Sequence, residues 1–163
     1  MDGRPTRGLL PAEARFLASA RRAVLATIDP NGRPRLFPVC FVLMGDDATA
    51  TIYSPLDEKP KRVADPHRLA RVRDLVARPE VTLLVDRWDE DWGRLGWLRI
   101  HGRAELLEPD EIAAAERATA IDALRAKYPQ YADHDLEGRP LIRIGRLSAV
   151  VWGPLDEPPS GGG

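Results

Sequence analysis

The stretch from Ala23 to Met44 most constrains what this chain can fold into. Ala23 to Ile28 is rich in strand-forming residues, Asp29-Pro30-Asn31-Gly32 follows, and Pro34 to Met44 continues as a long second run. Asn-Gly tolerates the positive φ of a tight turn, so the segment predicts a hairpin of two antiparallel strands. Gly45-Asp46-Asp47 makes a second turn before Ala48 to Tyr53, which gives a three-strand meander. Pro38 falls inside the second strand, and a residue without an N–H belongs at an edge or bulge, where sites are often found.

The second half mixes two periods. Asp65-Pro66 has the chemistry of a helix start, and a helix is expected to run to about Ala77 with Leu69, Val72, Leu75 and Val76 as its apolar stripe. Arg68 and Arg71 lie one turn apart on another face. Val81 to Val85 is a continuous apolar run, as in a strand covered on both faces. Trp88 to Arg94 reads as an acidic loop. Gly96 to Leu107 then alternates, with Leu98, Ile100, Ala104 and Leu106 on one face and Trp97, Arg99, His101, Arg103 and Glu105 on the other. Pro109 to Lys127 predicts a long helix presenting Ile112, Ile121 and Leu124, with Tyr128 just beyond, and Leu141 to Trp152 predicts a final strand. Pro11 to Arg21 suits a short amphipathic helix that lids the strands.

Six strands with flanking helices predict a mainly β chain folded as a small closed or split barrel. The expected organisation is a flexible arm over residues 1–10, one domain over 11–155 and a disordered tail over 156–163. A length of 163 residues fits one domain. A net charge of −1 argues against a nucleic-acid binder. No run reaches the 18 apolar residues of a membrane helix, and no signal core is present, so a cytoplasmic protein is expected. Cys40 is the single cysteine, and His67, His101 and His134 are too widely spaced for a zinc motif, so no metal is expected.

Positive charge is local. Asp57 to Arg78 carries seven Lys or Arg against four Asp or Glu, where the whole chain has 24 against 25. A strand end, a basic loop, a basic helix and a buried strand suit an anionic ligand held at the rim of a sheet. No Ser-His-Asp set, carboxylate pair or Gly-rich phosphate loop stands at an informative spacing. His101 beside Arg99 and Arg103 reads as a surface or interface residue. Trp88, Trp92 and Trp97 would suit either a pocket wall or an interface.

The order of several short segments carries a resemblance. Ala26-Thr27-Ile28-Asp29-Pro30-Asn31-Gly32-Arg33-Pro34, Pro38-Val39-Cys40-Phe41, Tyr53-Ser54, Arg71-Val72-Arg73-Asp74-Leu75, Pro79 to Asp86 and Gly102-Arg103-Ala104-Glu105-Leu106 follow one another as in the pyridoxamine 5'-phosphate oxidase-like split-barrel superfamily. The chain is most similar to its branch of deazaflavin (coenzyme F420)-dependent oxidoreductases, over about Phe16 to Trp152. The resemblance implies a homodimer of six-stranded split β-barrels, with cofactor sites lined by both subunits. By position it implies that Pro38, Val39 and Cys40 lie along the cofactor ring, Tyr53 and Ser54 near the ribityl chain, and Arg71 at the phosphate with Arg73 nearby. Trp152 would reach the ring from the partner.

Two departures from the pyridoxamine phosphate oxidases bear on the substrate. The chain lacks their C-terminal Arg-x-His segment, and it carries an insertion, Pro55 to Leu69, before the phosphate position. Within it, Lys59, Lys61 and Arg62 would suit the carboxylates of a polyglutamyl tail. The expected activity is hydride transfer between reduced F420 and a conjugated small molecule. The alternatives are an FMN-dependent oxidase or reductase of the pyridoxamine phosphate oxidase type, and a binding protein that holds flavin, haem or tetrapyrrole without turnover. A flavin-like cofactor carries the redox chemistry itself, so the chain needs residues that bind and orient it.

Overall fold

A computed structural model describes residues 8–56 and 65–156. Its first hairpin forms as the turn chemistry requires. Asp29 Oδ1 accepts the backbone N–H groups of Asn31 and Arg33, and Gly32 takes φ of +80°. Strand β1 (Ala23–Ile28) pairs with β2 (Pro34–Val39) from Ile28 opposite Pro34 to Ala23 opposite Val39. The other strands are β3 (Val42–Met44), β4 (Thr51–Pro55), β5 (Glu80–Arg87), β6 (Gly96–Leu107) and β7 (Leu141–Trp152). All neighbours pair antiparallel in a seven-stranded sheet of order β2-β1-β5-β6-β7-β4-β3.

The count is seven where six were expected, because the run Pro34 to Met44 breaks at Cys40-Phe41. Two anchors hold the break. The Tyr128 hydroxyl accepts the Phe41 N–H at 3.1 Å and directs its own hydrogen to the Phe41 and Arg21 carbonyls, each at 3.0 Å. Ser54 Oγ donates to the Cys40 carbonyl at 2.8 Å. The break also dictates the architecture. β2 and β3 are the two edges of the sheet, yet three peptide steps between Val39 and Val42 span at most about 11 Å. The sheet must therefore curl until its edges nearly meet, which makes it a split barrel.

The inner face of the curl is one apolar core, with Leu25, Phe41, Ile52, Leu83, Leu98 and Ile100 all fully buried. Helix α1 (Pro11–Ser19) closes one end with Phe16 and Leu17, and Glu13 ties back to the Leu10 N–H at 2.8 Å. Helix α2 (Ala70–Ala77) adds Val72 and Leu75. It starts later than expected. A 3₁₀ turn, Pro66–Arg68, is capped by Asp65, and Leu69 then takes an extended conformation with ψ of 138° while its side chain packs on the core. Val76 leaves the expected stripe and is 65% exposed, because the core touches the helix on the side of Val72 and Leu75.

Helix α3 (Ala114–Lys127) lies on the outer face of the sheet with a second apolar cluster beneath it. Ile121, Leu124 and Tyr128 pack there against Val42, Tyr53 and Leu141. The expected start at Pro109 is also late. Asp110 Oδ1 takes the N–H groups of Ile112 and Ala113 in a turn, which leaves Ile112 almost wholly exposed. Buried Arg117 donates to the carbonyls of Leu107, Leu136, Glu137 and Arg139, and so fastens the loop before β7.

β5 is covered on one face only: Val81, Leu83 and Val85 are buried, but Leu84 is 40% exposed. The alternation of β6 holds, with a bulge between His101 and Arg103 against β7. Among the described residues no helix is long and apolar enough to cross a membrane.

Candidate functional site

The β2–β3 break gathers several of the expected ligand residues. Pleating alternates the side chains, so Pro38 is exposed on the outer face and Val39 is buried inside, while Cys40 stands half-buried at the break itself. Ser54 at the end of β4 is buried and joins this point through its bond to the Cys40 carbonyl. From the other side, α2 lays the half-buried Arg71 over the ring of Phe37, with the guanidinium carbon 5.8 Å from the ring centroid. This stacking holds the arginine against β2 one residue before Pro38, on the face opposite the Pro38 side chain. Two contacts are thus set along the end of β2: Arg71 on Phe37 from the helix, and Ser54 on the Cys40 carbonyl from β4. Phe37 was not expected among them; only the placement of α2 reveals its role.

Other expected residues stand apart. Tyr53 is buried under α3, and its hydroxyl donates to Glu116 Oε1, which also accepts Arg143 Nε at 2.7 Å. Burial, helped by the bond and charge of Glu116, pushes the Tyr53 hydroxyl up to about 12. Tyr53 braces α3 against the sheet, with its polar end already taken. Arg73 leaves α2 almost opposite Arg71, as residues two apart on a helix do, and lines a different cleft with Ile28 and Arg35. Lys59, Lys61 and Arg62 lie outside the described residues.

Trp152 is 52% exposed at the end of β7. It shares the outer face with Pro38, as the pairing shows: Pro38, Val24, Leu84, Arg99 and Val150 form one row across β2, β1, β5, β6 and β7, and Trp152 pairs with Trp97 in the next row but one. Four strand spacings put Pro38 and that part of β7 on the order of 19 Å apart along the sheet.

A lysine that the sequence did not single out also reaches the break. Lys127 closes α3 with its amine 4.0 Å from the Phe41 ring centroid. Burial, reinforced by Arg21, pushes that amine down to about 8. No local pattern marks this residue, which reads as an ordinary basic helix end.

The comparisons agree with the fold. The sequence model of pyridoxamine 5'-phosphate oxidase matches residues 9–149. No curated protein matches the chain. Among solved structures, the conserved hypothetical protein Rv2991 from Mycobacterium tuberculosis is similar at 20% identity and a TM-score of 0.65, over 94% of this chain and 90% of that one. The haem storage protein HutZ from Vibrio cholerae is similar at 16% identity and a TM-score of 0.58, over 90% of this chain and 94% of that one. An F420 reductase is similar at 19% identity and a TM-score of 0.56, over 83% of this chain and 94% of that one. At such identities the neighbours speak for the fold, while the matched sequence model covers most of the chain: it belongs to the pyridoxamine 5'-phosphate oxidase family.

Proposed function

We propose that the chain is a deazaflavin (F420)-dependent oxidoreductase that transfers hydride between the reduced cofactor and a conjugated small molecule, working as a homodimer. The observation that carries this reading is the half-buried Arg71 stacked over Phe37 of β2, three residues before the break that Ser54 ties at Cys40. A half-buried guanidinium suits a phosphate, which it can meet with two parallel hydrogen bonds. The exposed Pro38 offers a flat apolar edge to a ring. The cofactor supplies the redox chemistry when bound. The residues of this chain fix its position and keep water from one side of it.

The open outer face supports a second copy as partner. Leu36, Leu84, Val150 and Trp152 are all substantially exposed there, and Trp152 shares that face with Pro38. The likeness to an F420 reductase favours the deazaflavin over FMN, and the likeness to a haem storage protein keeps binding without turnover as the second reading.

Titrating the purified protein separately with F420, FMN and haem, followed by fluorescence quenching and absorbance, separates these readings. Saturable F420 binding with turnover is expected. Tight FMN binding without F420 binding overturns the cofactor choice. Arg71→Ala is expected to weaken the phosphate-bearing cofactor by about 1.5–3 kcal/mol, the scale of a charge-assisted hydrogen bond. Unchanged affinity removes Arg71 from the groove.

A further inference from the structure

On the side of α2 away from Arg71, a cleft of about 540 Å³ opens between the helix and the turn joining β1 to β2. Its floor is apolar, from Ile28, Pro30, Ala70 and Ala77. Ala70 and Ala77 lie two helical turns apart, and their small side chains leave the space open. Into it face three arginines, Arg35, Arg73 and Arg78.

The neighbouring carboxylates are already used. Asp74 is 3% exposed and accepts Thr27 Oγ1 at 2.8 Å and Arg35 Nε at 2.9 Å. Asp29 caps the turn through Oδ1, its Oδ2 lies 3.8 Å from Arg35 Nη2, and its carbonyl accepts Arg78 Nη1 at 3.0 Å. These contacts fix Arg35 and Arg78 in place while leaving each guanidinium further N–H groups to donate. Arg73 is exposed and makes no side-chain hydrogen bond or ion pair with any described residue. Among the described residues, three positive groups therefore converge against two negative ones, two of the three held in position beforehand. Convergence of like charges in a partly enclosed cleft is unfavourable until an anion offsets it.

We propose that this cleft binds a small organic oxyanion, a carboxylate or phosphate monoester carried on an apolar body, with Arg73 as its main ion-pairing residue. The volume falls within the usual size of small-molecule sites, and the apolar floor selects for an organic body over a free inorganic ion. Arg73 meets the anion from the helix, and Arg35 and Arg78 meet it from the sheet side with their remaining donors. The site is separate from the Arg71 groove and does not depend on which cofactor that groove takes.

The test titrates the full-length protein with phenyl phosphate, benzoate and the neutral benzamide, following amide chemical shifts by NMR. Saturable binding of phenyl phosphate or benzoate, with shifts around α2 and the β1–β2 turn, is expected, and the tighter of the two identifies the anionic group. Arg73→Ala should weaken it about tenfold or more, and Arg73→Lys should restore part of the loss. Because Arg73 is exposed, its variants should keep the wild-type melting temperature. Arg71→Ala should leave this binding unchanged even where it abolishes cofactor binding, so the two sites fail independently. Equal binding of benzamide, full affinity in Arg73→Ala, loss in Arg71→Ala, or no saturable binding of either anion overturns the proposal.

Discussion

The two faces of the sheet are made by the same strands and end in opposite conditions. On β5, Leu83 points inward and is fully buried, while its neighbour Leu84 points outward and is 40% exposed. The inner face is complete within one chain, closed by α1 and α2. The outer face is covered only where α3 lies over Val42, Tyr53 and Leu141; towards β5, β6 and the end of β7 it stays open. The inner face thus supplies the stability of the single chain. The open half of the outer face is where the proposed second copy would pack, although the residues there alternate with those of the sealed core.

The sharpest way to break this comparison is to truncate both leucines. Leu83→Ala is expected to cost about 2–5 kcal/mol in urea unfolding, the range for deleting a fully buried leucine side chain. Leu84→Ala should cost less than about 1 kcal/mol in the dilute chain and instead shift the monomer–dimer equilibrium measured by sedimentation. Equal losses with no change in association would mean that the faces do not divide the work as stated.

A smaller effect tests the covered half of the outer face. Tyr53→Phe removes the bond to Glu116 and should cost about 1 kcal/mol. Because the folded state raises the Tyr53 hydroxyl above its ordinary value of 10.0 to about 12, its contribution is fully present below pH 10 and is lost as pH rises through 12. Alkaline unfolding of the wild type should therefore steepen in that window, and the phenylalanine variant should lose this part of the slope. An identical alkaline limb in both would place the hydroxyl in water.

The smallest effect concerns the tie from the segment before α2 to the end of β6. His67 Nε2 lies 2.7 Å from Glu108 Oε1, and Nδ1 lies 2.9 Å from Asp65 Oδ1. Hydrogen bonding to Glu108 first, and to Asp65 second, raises the imidazole above the ordinary histidine value. The contribution is present below that value and is lost as pH rises through the folded one, and exposure to solvent keeps it small. Glu108→Gln should lower the His67 pKa in an NMR titration. An unmoved titration would show that the pair does not form.

Much of the fold was legible because its signals are local. The Asn31-Gly32 turn, the alternation of Gly96 to Leu107 and the periodicity ending at Leu124 and Tyr128 each follow from short-range geometry. The misreadings arose where distant contacts decide. Tyr128 and Ser54 break the second strand from 87 and 14 residues away. The late starts of α2 and α3 follow from Leu69 turning to the core and from the Asp110 turn. For the candidate site, the chain order of the family implied Pro38, Val39, Cys40, Tyr53, Ser54, Arg71, Arg73 and Trp152, of which the structure sets Pro38, Val39, Cys40 and Ser54 at or beside the β2–β3 break and Arg71 on β2. It could not show that Phe37 supports the arginine, that Glu116 occupies the Tyr53 hydroxyl, or that Lys127 reaches the break.

By itself the sequence determined the strand and helix periods, the principal turns and the local excess of positive charge around α2, since each depends on residues only a few positions apart. Only the tertiary structure decided that one run of residues supplies both edges of the sheet, which face of β5 is sealed, and that Arg71 stacks on Phe37 while Arg73 lines the cleft beside Ile28 and Arg35. The physical reason is that burial and partnership depend on what arrives from elsewhere in the chain. A basic helix carries its charges in its sequence, but the packing of α2 on β1 and β2 gives each charge its destination.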